Sequence, residues 1–254
     1  MAMFIGDLDV KKVHFAPLVT NGDRSRVEVY RDASALTNRN RLELNLCADA
    51  NKPKDCKYSL DAVRDDSNPD RRGLKLKLDP VEDAREIAAF QALDEHIIQT
   101  AVERSSEWFK GKQLTRDEVM GRYKPLVEKE RDDENFYTFK MKVKVGASVV
   151  PTALHLRDES GAIRKNGGRV EHLELRNAKV APIVSAYSIW FMRKDFGLSF
   201  QAEKMIVTPG QERDALDGFL SPEPLKVIEQ ARASSPVADR AAPANVELEG
   251  DFPA

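Results

Sequence analysis

The stretch "FYTFKMKVKV", Phe136 to Val145, alternates without interruption. In an extended chain Tyr137, Phe139, Met141, Val143 and Val145 lie on one face, and Phe136, Thr138, Lys140, Lys142 and Lys144 on the other. One face needs a core; the other needs water or an anionic partner. The same period recurs elsewhere. In "RVEVY" Val27 and Val29 share a face, in "RLELNLC" Leu42, Leu44 and Leu46 do, and in "GLKLKLD" Leu74, Leu76 and Leu78 oppose Lys75 and Lys77. "PTALHL", "GRVEHLEL", "VSAYSIWFM" and "GLSFQAEKMIV" follow later in the chain. One-sided alternation with polar outer faces predicts antiparallel sheet rather than a parallel α/β core.

After the third of these segments the period changes. Ile87, Phe90, Leu93, Ile97 and Ala101 recur at helical spacing. Asp79 is suited to cap that helix, Pro80 to open it, and Glu82 follows three residues after the cap. The helix is expected to reach Ser105. "TRDE", Thr115 to Glu118, is a capping box for a second helix that carries Val119, Met120 and Tyr123 before Pro125 interrupts it. Four or so strands then follow. "SPEPLKVIEQARA" reads as a short helix capped by Ser221, and the Ala/Pro/Ser-rich stretch beyond it reads as a linker. The predicted layout is a β-rich domain over 1–208 with a helical insert at about 80–128, an extension over 209–232, and a disordered linker and acidic tail over 233–254. The fold class is mainly β with a helical insert: an OB-fold-like antiparallel barrel of five strands, with a long helix between strands three and four. A β-sandwich would read almost the same.

Little in the chain looks catalytic. His14, His96, His155 and His172 have no second ligand at metal-site spacing, and "RKNGGRVE" lacks the Lys-Ser/Thr pair of a phosphate loop. No serine sits in a nucleophile elbow. Asp65-Asp66 and Asp132-Asp133 fall in polar, loop-like sequence. The expectation is therefore a protein that is not an enzyme, with no cofactor and no metal. Cys47 and Cys56 have no histidines at zinc-site spacing and read as reduced thiols, which points to an intracellular, reducing compartment. No run of residues is long and apolar enough to span a membrane, and "MAMFIGDLDVKK" lacks the signature of a signal peptide.

The stronger signal is cationic. Same-face residues on a strand stand roughly 6.6 Å apart, so Lys140, Lys142 and Lys144 form a row of ammonium groups with Phe136 at one end. Lys75 and Lys77 form a shorter row, preceded by Arg71 and Arg72. In "VSAYSIWFMRKDFGLSF", Tyr187 and Trp190 are candidate platforms. Trp190 and Phe191 must face opposite ways, so that one can be core and the other a stacking surface. Trp108 and Phe109 are expected to cap the barrel. A basic groove bearing aromatic rings suits a single-stranded nucleic acid, because cations follow phosphates and rings stack on bases. A solvated strand face would carry the same lysines.

The chain closes on "NVELEGDFPA", in which Glu247, Glu249 and Asp251 alternate ahead of Phe252. From Pro209 onward there are nine acids and four bases, which leaves 33 acids and 36 bases before it. The body is thus about +3 and the tail about −5, so the tail can lie on a basic surface of its own protein.

These features resemble the T7-type single-stranded DNA-binding proteins of phages and large DNA viruses. The likeness rests on the "EGDF" ending, on "FQALDEHIIQTAVERSSEWFKGK" through "YKPLVEKE" to "FYTFKMKVKV", and on "SIWFMRKDFGLSFQAEKMIV". It covers roughly residues 74–208 and the last ten. The resemblance implies an OB-fold with a helical insertion and no catalysis. It also implies a role in DNA replication, recombination or repair, and a tail that grips replication proteins such as a polymerase or helicase while competing with DNA. Only Glu249, Asp251 and Phe252 carry over for the tail. The family usually ends on its aromatic residue, whereas here Pro253 and Ala254 follow. A homodimer stays open, and the expected location of a viral member is the replication site in the nucleus or cytoplasm of the host cell. The other readings are a β-rich structural or interaction protein without a nucleic-acid role and a metal-dependent DNA-processing enzyme.

Overall fold

The alternating segments become strands of one curled sheet. The computed structural model describes residues 2–22, 24–37, 40–49, 52–56, 71–130, 135–145, 152–158, 160–165 and 178–209, apart from the side chain of Arg71. The chain opens with short strands β1 (Met3–Phe4), β2 (His14–Phe15), β3 (Val19–Asn21), β4 (Arg24–Val27) and β5 (Val29–Tyr30), followed by β6 (Glu43–Asn45) and β7 (Lys54–Asp55). β8 (Arg71–Leu78) leads into the helices α1 (Ala84–Glu103), α2 (Ser105–Trp108) and α3 (Arg116–Met120). Then come β9 (Tyr123–Lys124), β10 (Val127–Lys129), β11 (Tyr137–Lys144), β12 (Ala153–Arg157) and β13 (Ile163–Lys165). Two long strands, β14 (Lys179–Met192) and β15 (Asp195–Thr208), form the last hairpin among the described residues.

The long strands run in the order β8, β11, β15, β14. One edge of β14 is shared by β7, β6 and β4 along its length. Just after β7, Cys56 bridges to Leu76 of β8 and donates its amide to the carbonyl of Ala178 at 2.9 Å. That short stretch stitches the far edge back towards β8, so the sheet curls into a half-barrel.

The apolar faces turn inward, as the alternation predicts. Leu74, Leu76 and Leu78 of β8 and Phe139, Met141 and Val143 of β11 are buried, and Phe90, Leu93 and Ile97 of α1 pack among them. Phe90 stacks on Phe139 with ring centroids 4.6 Å apart and meets Phe200 edge-on at 6.1 Å. Burying each such side chain is worth roughly 1.5–3 kcal/mol, and the helix thereby fills the concave side and leaves the opposite face of β8 and β11 open. A second aromatic cluster closes one end: Trp108 and Phe109 both pack edge-on against Phe191 and Phe196.

Three local expectations change. The sheet is mixed, because β11, β12 and β9 each pair in parallel with β15, and β1 with β6. Parallel pairing needs long connections, and those that lead to β15 supply them. Among the described residues eight strands rather than three precede the helices, since short pairings count as strands alongside the alternating segments. α1 begins at Ala84, not beside Asp79. Asp79 still caps, accepting from the amides of Val81 at 2.7 Å and Glu82 at 3.0 Å in the turn before the helix. The Thr115–Glu118 capping box forms as read. Cys47 and Cys56 are free and buried, and burial pushes their thiols up to about 11 and about 12. Arg164 and Lys165 of "RKNGGRVE" belong to β13; the rest of that stretch, the "GRVEHLEL" strand, His172, the Asp65-Asp66 and Asp132-Asp133 pairs, the Ser221 helix and the tail lie outside the described residues.

Candidate nucleic-acid interface

β11 and β15 touch only briefly, at Lys142–Gln201 and Val143–Ala202. Towards their N-terminal ends they part like a fork. β15 then pairs with β9 and β11 with β10, so the segment from Tyr123 to Lys129 crosses the open end of the fork. That crossing is fixed from below by Asp94 of α1. Its carboxylate accepts from the Tyr123 hydroxyl at 2.6 Å and from the Leu126 amide at 3.1 Å. The result is a cleft of about 1230 Å³ with Met141, Leu126, Leu198 and Phe200 among its lining.

One wall of the cleft is cationic. β8 and β11 pair so that Lys75 stands directly opposite Lys140 and Gly73 opposite Lys142. Like charges directly across a ladder repel, so a polyanion laid over both lysines would relieve that repulsion. Gly73 has no side chain to shield Lys142 from a ligand's approach. Arg72, Lys75, Lys140 and Lys142 all line the cleft. Lys140 also meets Glu128 of β10 at 3.5 Å, with both side chains about half exposed. Such a pair is worth at most about 1 kcal/mol and yields readily to a phosphate.

The other wall is aromatic and depends on a β-bulge. The register of β14 against β15 slips between Ala186 and Ser188, leaving Tyr187 without an opposite residue. On a regular strand Tyr187 and Trp190 would face opposite sides. The bulge inserts one residue, and both rings line the cleft while Ala186 and Ile189 stay in the core. Trp190 lies over Gly197, where an added Cβ would come within 3.1 Å of the indole. Phe191 points the other way, into the cluster around Trp108, so the two rings face opposite ways as the alternation requires.

The remaining predicted residues fall elsewhere. Lys144 donates to Glu203 at 3.1 Å, and Ser185 and Gln201 donate to the other oxygen of the same carboxylate. Burial opposes ionisation of Glu203, but these three donors outweigh it and hold its carboxyl below the ordinary value. Lys144 is outside the cleft lining, and its ammonium is committed to that carboxylate. Lys77 sits 4.5 Å over the ring of Phe136, and neither residue lines the cleft. β8 includes Arg71 opposite Lys144. Glu247, Glu249, Asp251 and Phe252 lie outside the described residues.

Four cleft residues were not anticipated: Lys124 on the crossing segment, and Met192, Arg193 and Lys194 at the turn between β14 and β15. Lys124 could not be placed without knowing that β9 pairs with β15. The turn was legible as "RKD" between two aromatic-rich strands. Among the described residues no group of three or more His, Cys, Asp or Glu side chains could hold a metal ion.

No protein-family model matches this chain, and neither does any curated protein sequence. Several solved structures are similar in shape. One is the single-stranded DNA-binding protein from bacteriophage Enc34 in complex with ssDNA, with a TM-score of 0.40 and 8% identity over 78% of this chain and 97% of that one. A C-terminal truncation of the Enc34 protein gives 0.41 and 8% over 78% and 96%. Another is gp2.5, a single-stranded DNA-binding protein encoded by bacteriophage T7, with a TM-score of 0.43 and 14% identity over 65% of this chain and 92% of that one. The T7 type that the sequence resembles is thus represented among them. At these scores and identities the likeness carries no further weight, and the functional assignment rests on the cleft.

Proposed function

We propose that this protein binds single-stranded DNA without sequence preference, laying phosphates along the β8–β11 wall and bases along the Tyr187–Trp190 wall. The observation that carries this is the pairing of a lysine ladder with two aromatic rings that a bulge has turned onto the same cleft. Cations alone would suit any polyanion. Rings beside them suit unpaired bases, each stacked base being worth about 1–3 kcal/mol. A duplex hides its base faces and gains only from the lysines. In our reading the half-barrel is an OB-like fold in which Arg24–Tyr30, Leu42–Leu46 and β8 count as the three strands before the helices. The protein does not act as an enzyme in this reading; it coats strands during replication, recombination or repair of viral DNA.

The tail belongs to the same proposal. Its charge of about −5 against a body of about +3 supports a competitor for the cleft, with Glu247, Glu249, Asp251 and Phe252 released to a polymerase or helicase when DNA displaces them. Deleting residues 245–254 should then tighten strand binding at low salt, and the gain should shrink as salt screens the tail. Equal affinity with and without those residues overturns the competition.

Tryptophan fluorescence tests the main reading. Trp108 is 3% exposed, whereas Trp190 lines the cleft. Oligo-dT should quench the signal strongly, duplex should do so weakly, and Trp190→Phe should abolish the response. Absence of salt-sensitive oligo-dT binding, measured in parallel by anisotropy of a labelled oligonucleotide, favours a β-rich interaction protein instead.

A further inference from the structure

We propose that the turn Met192–Arg193–Lys194 is a third contact element of the cleft, with the two cations seating a phosphate and Met192 lying against a base. This rests on the single-strand reading above and adds a subsite to it.

The turn chemistry points this way. Met192 pairs with Asp195, so Arg193 and Lys194 form a two-residue hairpin loop. Arg193 has a φ of 53°, while Lys194 does not take a positive φ. That sign pattern belongs to the II′ turn, whose first central position favours glycine. A side chain there brings its Cβ too close to the following carbonyl, so arginine strains a turn that glycine would close freely. Strain of this kind, held at the mouth of a cleft, marks a residue kept for what it touches.

Position and exposure agree. Met192, Arg193 and Lys194 all line the cleft. Beyond the bulge Ser188, Trp190 and Met192 recur every second residue, so Met192 continues the row begun by Trp190. It is 66% exposed, a large apolar group left in water. A long, unbranched, polarisable thioether can settle against a flat ring of any identity, which suits a site indifferent to sequence. The acid at the turn is directed elsewhere: Asp195 lies 3.6 Å from Lys124, and among the described residues no ion pair forms with Arg193 or Lys194. Both cations therefore project beside the aromatic wall, where a strand leaving Trp190 would present its next phosphate.

The test uses the full chain and a labelled oligo-dT read by anisotropy over a salt series, with thermal melts in parallel. Arg193→Gly should melt at or above the wild-type temperature, because the turn relaxes. Its affinity should nevertheless fall about three- to tenfold at low salt, with a log–log salt slope shallower by about 0.7 for the lost phosphate. Arg193→Lys should restore most of the slope. Met192→Ala should weaken binding at high salt as well as low, since an apolar contact is not screened. Wild-type affinity and slope in Arg193→Gly overturn the proposal and leave a solvated turn. Lys140→Ala/Lys142→Ala serves as the control. If wild type binds and this control loses binding while Arg193→Gly is silent, the turn assignment alone falls. If wild type itself fails to bind, the single-strand reading falls with it.

Discussion

On β11, Lys140 and Lys142 line the cleft, Lys142 where that strand still meets β15 and Lys140 where the two have parted, whereas Lys144, one repeat further on, gives its ammonium to Glu203 at 3.1 Å. The three are equivalent in sequence, each with an apolar neighbour on either side. Their fates are set by the neighbouring strands. Beside Lys142 on one side is Gly73, and opposite Lys140 is a second cation, Lys75. Beside Lys144 is a carboxylate already held by Ser185 and Gln201. The same lysine repeat is thus tied to a half-buried carboxylate at one end and lines a cleft at the other.

The sharpest way to break this contrast is to remove the two kinds of lysine separately. Lys140→Ala/Lys142→Ala should cost on the order of tenfold or more in strand affinity at low salt and flatten the salt slope by roughly 1.4, at 0.7 per phosphate. Its melting temperature should fall less than that of Lys144→Ala, because the Lys140–Glu128 pair it removes is half exposed and worth at most about 1 kcal/mol. Lys144→Ala should do the reverse. Affinity should stay near wild type while stability falls by about 1–3 kcal/mol, since Glu203 keeps its charge in a half-buried site and loses its cation. Equal loss of salt slope in both variants would show that the fork does not define the interface. Anisotropy titrations and chemical denaturation of the same preparations decide it.

The aromatic wall comes next in size. Trp190→Ala should cost about 1–3 kcal/mol of binding. Gly197→Ala should cost less but act through the same ring. Gly197 does not take a positive φ, so the new methyl acts by crowding Trp190 at 3.1 Å and the carbonyl and Cβ of Lys124 at 3.2 and 3.3 Å. The indole then has to tilt. Phe136→Ala should matter less than either, because Lys77 already lies over that ring. A Phe136 variant weaker than the Trp190 variant would move the base-binding wall to the other end of β11.

How far the sequence could be read depends on what alternation encodes. It encodes which way side chains point on a regular strand, so the inner leucines, the outer lysines and the opposed Trp190 and Phe191 were all legible. It does not encode which strands neighbour one another. The parallel β11–β15 contact, the fork it opens and the Glu203 partner of Lys144 each depend on residues some 60 positions away. Nor does it encode register slips: Tyr187 and Trp190 share a wall only because of the bulge between Ala186 and Ser188. The tip at Arg193 is only "RKD" between aromatic-rich segments in the sequence; its strained φ and its place at the cleft belong to the folded hairpin.

The smallest effect on binding is expected beneath the cleft, at Asp94. Burial raises its carboxyl to about 7, against the pull of the Tyr123 and Leu126 donors, which favour the charged form. A carboxyl raised on folding favours the folded state while it is protonated. Its contribution is fully present below the unfolded value near 4 and is lost as pH rises towards 7, at up to roughly 1.4 kcal/mol for each pH unit crossed. Asp94→Asn cannot ionise, so its stability should vary less than that of wild type between pH 4 and 7, as followed by urea unfolding at several pH values. The amide oxygen can still accept from Tyr123 or Leu126, and the crossing segment should stay in place. Strand affinity should therefore change by about twofold or less, because Asp94 supports the wall that carries Lys124 and touches no ligand itself; a twofold ratio is only about 0.4 kcal/mol. A wild-type pH profile in Asp94→Asn would place the titration elsewhere, and a large loss of affinity would mean that the β9–β10 crossing shapes the cleft more directly than the lysine wall does.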